Sequence, residues 1–175
     1  EAAGGTHLTL EIGRKSLLTL RHVFGLRRLI EQHRPDIVHA RSRLPAWIGW
    51  FALRGVAGKK PAFVTTVHGL NSVSAYSAIM TRGQRVICVS DTVRAYVLAQ
   101  YPDTDPARLR VIERGVDAAD FPRGHRTSKT WREAFFTEYP LLAGRRWFVL
   151  PGRGTRLKGH AEAIELIARL RRDGH

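Results

Sequence analysis

The chain is short of acid and almost free of sulfur. Against 29 lysines and arginines it sets only 15 aspartates and glutamates, a formal net charge of +14, most of it arginine. An anionic partner accounts for such a balance: nucleic acid, an acidic membrane face or phosphorylated substrates. So does a solvated basic surface. The single cysteine, Cys88, excludes an internal disulfide and lies in the apolar run "RVICVS", where it reads as a small buried hydrophobe. This suits a reducing compartment. No apolar run approaches the roughly 18 to 20 residues that span a bilayer. The opening "EAAGGTHLTLEIGRK" has no basic segment followed by an apolar one, so it is not read as a secretory signal. It also lacks an initiating methionine, and we expect further chain before it. No His, Cys, Asp and Glu cluster has metal-ligand spacing, and no Ser-His-Asp arrangement is legible. Repeats and low-complexity segments are absent too.

What is present is an alternation of short apolar runs and amphipathic stretches. "SLLTLRHVFGLRRLIEQH" places Leu17, Leu20, Val23, Phe24 and Ile30 on one broad helical face. Pro35 breaks that helix, and Ile37-Val38 reads as a short strand. "LPAWIGWFALRG" predicts an apolar helix ending at Gly55, with Trp47 and Trp50 in the core. "PAFVTTV", "RVICVS" and "LRVIE" read as strands, and Ser90 sits where an N-cap belongs, ahead of "DTVRAYVLAQY". Strands separated by helices predict an α/β fold, a parallel sheet with helices on both faces. Such sheets bind ligands at the carboxyl ends of their strands, where this reading places His39, His68 and Ser90.

Residues 1–121 form a first domain in this reading. The polar stretch 122–144, broken by Pro122, Gly124 and Gly144 and carrying one helical patch around "KTWREAFF", reads as a connection in which Trp131 anchors the helix. From 145 to 175, "WFVLPG" predicts a strand and "HAEAIELIARLRRDG" a helix. One strand and one helix cannot bury their own apolar faces, so the expectation is a piece of a larger two-domain protein.

Between that strand and helix lies "LPGRGTRLKGH". It matches neither G-x-x-x-x-G-K-[ST] nor G-x-G-x-x-G, since no Ser or Thr follows Lys158 and Leu157 stands at the last glycine position. Its physics still favours an anion. Free N–H groups and the positive dipole end gather at the start of the following helix. Arg153 brings a bidentate fork and Lys158 a mobile point charge, a pair suited to a diphosphate without a metal. A basic surface turn would look the same from these residues alone.

The order of pieces, "RPDIVHARS", "TTVHGL", "VICVSDTVRAYV", "LRVIERGVDAADF" and "VLPGRGTRLKGH", resembles the family-4 retaining glycosyltransferases over nearly the whole chain from about residue 16. The resemblance implies the B-type glycosyltransferase fold, in which two Rossmann-like domains face each other across a cleft. The amino-terminal domain receives the acceptor and the carboxy-terminal one binds a nucleotide-sugar. It implies that this chain lacks the family's first strand and glycine loop, and most of the donor domain with its E-x7-E pair. It assigns Gly152, Arg153 and Lys158 to the donor diphosphate and His68, the "HG" histidine, to the reaction centre. It places Gly69, Ser90, Gly115 and Asp117 along the cleft, Ser90 with a partly structural role. Glu113-Arg114 departs from the common Pro-Asn before Gly115. His39 reads better as a satisfied strand-end histidine, and Asp117 as a turn former.

The activity implied is transfer of a sugar from a nucleotide diphosphate sugar to a glycan or lipid-linked acceptor with retention, in bacterial cell-surface polysaccharide or lipopolysaccharide synthesis. The departing phosphate helps deprotonate the acceptor. The nucleotide-sugar is a substrate, and no cofactor or metal is expected. The expected location is cytoplasmic, peripheral on the inner face of the plasma membrane, where "GRKSLLTLRHVFGLRRL" is basic and amphipathic enough to lie on an anionic surface. Core packing explains the same stripe. These residues alone are expected to be inactive, since one domain cannot close a cleft. Two other readings stand beside this one. A basic nucleic-acid-binding α/β module fits the charge, yet the chain shows no helix-turn-helix, RNP-like strand or zinc motif. A non-transferase B-fold sugar-phosphate enzyme fits the fold, but the pairing of "HG" with "GR…KG" argues against it.

Overall fold

The structure, a computed structural model, describes residues 4–10, 19 and 21–174. These fall into two compact units, one ending at Val116 and the next beginning at Asp117.

In the first unit, helix α1 (Arg21–His33) leads into strand β1 (Ile37–Ala40), helix α2 (Arg43–Arg54) and strand β2 (Ala62–Val67). A short 3-10 turn at Ser77–Thr81 precedes strand β3 (Arg85–Cys88), helix α3 (Asp91–Gln100) and strand β4 (Leu109–Val111). The four strands form one parallel sheet in the order β1-β2-β3-β4, each paired with the next in sequence. All their carboxyl ends therefore lie along one edge. The predicted α/β class with a parallel sheet is what forms.

Local chemistry explains the boundaries. Arg34 closes α1 by donating its N–H to Ile30 O at 2.8 Å, and the proline that follows disfavours a further helical residue. Along α2, Ala46, Gly49 and Ala52 recur every three residues and are buried. These small side chains let the helix approach the sheet closely: a Cβ on Gly49 would lie 3.4 Å from the Phe63 ring. The Ser90 hydroxyl caps α3, accepting from Val93 N at 3.2 Å, and Asp91 puts a negative charge in the first turn. Phe63, Val67, Val86, Cys88 and Leu109 of the strands join Ile48, Leu53, Val93 and Val97 of the helices in the core.

Three expectations are corrected here. Phe24 is 69% exposed, while Val23 and Ile30 carry the buried stripe of α1; Leu17 and Leu20 lie outside the described residues. Trp47 and Trp50 stand at the rim of the core, half-buried, where with Phe51 they form an aromatic cluster with centroids 5.2 to 5.8 Å apart. Their amphipathic rings suit that border: Trp47 donates its indole N–H to Tyr76 O, and the Arg54 guanidinium lies 3.9 Å from the Trp50 centroid. Third, no strand forms in "WFVLPG". No described segment of the second unit offers it a ladder partner, and a strand without one leaves its N–H and C=O groups unpaired.

The second unit contains helix α4 (Lys129–Glu138) and helix α5 (His160–Arg172). Ser128 caps α4, accepting from Trp131 N at 3.1 Å. Trp131 stacks on Phe135, and Phe135 and Phe136 both meet Trp147, whose indole N–H reaches Leu142 O. Phe148 and Val149 stay 70% and 77% exposed.

Candidate active site: the carboxyl edge of the sheet and a glycine-basic loop

At the carboxyl edge of the first unit, three strand-end residues have distinct fates. His39, on β1, uses its Nε2 in a 2.6 Å hydrogen bond with the Thr66 hydroxyl on β2. Ser90 commits a lone pair to capping α3. His68, directly after β2, accepts a hydrogen bond at Nδ1 from the guanidinium of Arg114, three residues beyond β4. Guanidinium can only donate, so Nδ1 must be the acceptor and the proton of the neutral ring sits on Nε2. Burial lowers the His68 pKa below its ordinary 6.5, and the positive charges of Arg114 and Arg41 and the His39 ring push it the same way. The ring is thus held neutral, with Nε2–H left as a donor.

Gly69 follows, and a Cβ there would meet nothing within 4 Å, so this position opens onto free space. Gly115, exposed, lies just past Arg114. Asp117 begins the second unit and behaves as a turn former: its carboxylate accepts from Ala119 N at 2.8 Å and its carbonyl from Phe121 N.

The glycine-basic loop belongs to the second unit. Arg156–Lys158 makes one 3-10 turn, with Lys158 N bonded to Thr155 O at 2.9 Å and Gly159 N to Arg156 O at 3.1 Å. Gly159 then takes φ +69° as the N-cap of α5, a conformation that glycine adopts without a Cβ penalty. The fold of the loop brings Lys158 back over Gly152, where an added Cβ would stand 3.3 Å from Lys158 Cγ and 3.5 Å from His160 Cε1. Gly152, Lys158 and His160 are therefore together at the start of a 13-residue helix. Arg153 is exposed and forms no ion pair among the described residues. A strand-less lead-in replaces the expected strand, but the polarity of the helix end is unaffected. No group of three or more His, Cys, Asp or Glu able to hold a metal occurs among the described residues.

Sequence reasoning missed Arg41 and Thr66 and treated Arg114 only as a departure in a turn. The signal for Arg41 and Arg114 was available: each is an arginine just past a strand, at the same edge as His68.

The fold is that of the parallel α/β proteins, which bind ligands at the carboxyl ends of their strands, the edge that carries His68 and Gly69 here. Residues 4–120 match the family described as Glycosyltransferase Family 4, and the chain belongs to that family. It is also similar to the crystal structure of a glycosyltransferase from Rickettsia africae ESF-5, at 28% identity and a TM-score of 0.68 over 94% of this chain and 44% of that one. The chain thus spans less than half the length of that structure. No curated protein matches it.

Proposed function

We propose that these residues are the acceptor-side half, with the start of the donor half, of a retaining glycosyltransferase that moves a sugar from a nucleotide diphosphate sugar to a glycan or lipid-linked acceptor in cell-surface polysaccharide synthesis. The observation that carries the reading is His68: a neutral imidazole with its Nε2–H free, next to a glycine that leaves room for a ligand, at the edge where such sheets bind. In that role it donates a hydrogen bond to the donor sugar and is not a general base. Negative charge grows on the leaving diphosphate during transfer. Arg153, Lys158 and the α5 N-terminus would stabilise that charge by preorganised electrostatics, without a metal. The reaction keeps the leaving phosphate and the acceptor on one face of the sugar, so the phosphate itself helps take the acceptor proton. We place the protein on the cytoplasmic side, peripheral to the inner membrane face; no described helix is long and apolar enough to cross a membrane.

The test is a screen of the full-length polypeptide for nucleoside diphosphate release from UDP-, GDP- and ADP-sugars, with Arg153→Ala and Lys158→Ala beside it. Release from one donor, reduced about 100- to 1,000-fold in each variant, is expected, the usual size for one such donor group. No release from any donor, with salt-sensitive binding to RNA or DNA instead, overturns the reading.

A further inference from the structure

Arg41 directly follows β1, His68 directly follows β2, and Arg114 lies three residues past β4. The parallel order of the sheet brings the three to one edge. Arg114 is hydrogen-bonded to His68, and His39 stands one strand over, held by Thr66. Among the described residues, the charged groups acting on His68 are Arg114, Arg41 and the His39 ring, with no carboxylate among them. Among the described residues the ion pairs are Lys59–Asp36, Arg108–Asp105 and Lys129–Glu133, none at this edge. Glu113, beside Arg114 in sequence, pairs with neither arginine. Two guanidiniums gathered around one imidazole without an acid repel one another, and a ligand carrying negative charge relieves that repulsion.

We propose that Arg41 and Arg114, at the edge that carries His68, form a receptor for a phosphomonoester on the sugar acceptor. That the ligand is the acceptor rests on the glycosyltransferase reading; the phosphate site itself stands on the cation cluster. Arg114 spends one N–H on His68 and keeps its others, so the two guanidiniums together match a dianion with three terminal oxygens, whereas a carboxylate uses a single fork. The site belongs to the first unit and is separate in the chain from the glycine-basic loop, which takes the donor diphosphate.

The experiment is an NMR titration of the full-length polypeptide, following the histidine ring protons and backbone amides, with glucose 6-phosphate, with acetate at matched ionic strength, with UDP, and with phosphatidylglycerol vesicles. Arg41→Gln, Arg114→Gln, their double variant and Arg153→Gln are compared with the parent sequence; all three arginines are exposed, so folding is retained and is checked in the same spectra. Saturable glucose 6-phosphate binding that shifts His68, weakened at least tenfold in the double variant and less than twofold in Arg153→Gln, is the expected result. Acetate binding as tight as the phosphate ester overturns the proposal. So does sugar-phosphate binding that survives the double variant or vanishes in Arg153→Gln. Vesicle binding that depends on Arg41 and Arg114, with no sugar-phosphate binding, reassigns the site to lipid and likewise overturns it. If the glycosyltransferase reading alone fails, donor release is lost in the earlier screen while this titration still succeeds.

Discussion

One buried hydroxyl ties strand β2 to the 3-10 turn that follows it. Thr65 is fully buried and donates to the Met80 carbonyl at 2.6 Å, and Met80 itself is 3% exposed. Thr65→Val keeps the shape but puts a methyl carbon where no carbon fits, 2.6 Å from that oxygen, and removes the donor. Leaving a buried acceptor unsatisfied costs about 1–3 kcal/mol, and we expect the upper half of that range because the methyl must also move away. Thr65→Ser keeps the donor and loses one methyl, about 1 kcal/mol. Tryptophans occur in both units, so bulk fluorescence blends them. Cys88 does not: it is the only cysteine, 0% exposed and central in the first unit's sheet, so its labelling by a thiol reagent reports the unfolding of that unit alone. With a urea dependence of about 2 kcal/mol per molar, the labelling midpoint should fall by about 1 M for Thr65→Val and by about half as much for Thr65→Ser. A valine variant as stable as the serine variant, or more so, would refute the argument, because it would mean that the hydroxyl contributes nothing beyond its volume.

Gly83→Ala tests the same junction from the other side. Its Cβ would fall 2.5 Å from Arg85 O and 2.9 Å from Thr65 Oγ1, both held in the sheet, and a loss of about 1–3 kcal/mol should appear in the same labelling assay. Ser90→Ala removes the cap of α3 and should cost about 1 kcal/mol, with Ser90→Asp restoring most of it. The Cys88 thiol itself should resist labelling in the folded protein near neutral pH, since burial raises its pKa, and should react at once in urea. His68 should titrate below 6.5 in a proton NMR series, and Arg114→Gln should move its midpoint upward. The sign for stability follows. The unfolded chain takes up the proton first, so stability falls as pH drops through about 6.5 and levels off only below the folded pKa; His68→Asn should flatten that part of the profile.

The sheet was legible because its strands are short β-branched runs bounded by strong punctuation: Pro35 before β1, Gly55 after α2, Ser90 before α3. The crossover from β2 to β3 was not. "LNSVSAYSAIMTRG" has no helical or strand period, yet its Ile79 and Met80 are almost wholly buried, because a single 3-10 turn needs no repeating face to place two side chains in a core. The strand expected at "WFVLPG" failed for the opposite reason. Its composition suits a strand, but a strand is defined by a neighbour, and composition does not supply one. Phe24 missed the core although its spacing was right, since a stripe at helical spacing can be wider than the surface it packs on.

The candidate site shows the same division between what is local and what is long-range. Reading strand ends found His39, His68 and Ser90, and the adjoining Gly69 and the "HG" resemblance already favoured His68, but neither says which polar atom of each residue is left unused. Their partners do. Thr66 occupies the Nε2 of His39, and the first turn of α3 occupies the lone pair of Ser90. Arg114, 46 residues away in the chain, occupies only the Nδ1 of His68 and thereby fixes which nitrogen carries the proton. Of the three, His68 is the one whose unshared group is a donor of known orientation beside open space. A residue becomes a candidate for chemistry here by what its neighbours leave unused, and that is decided by strand order, which the residues around His68 do not encode.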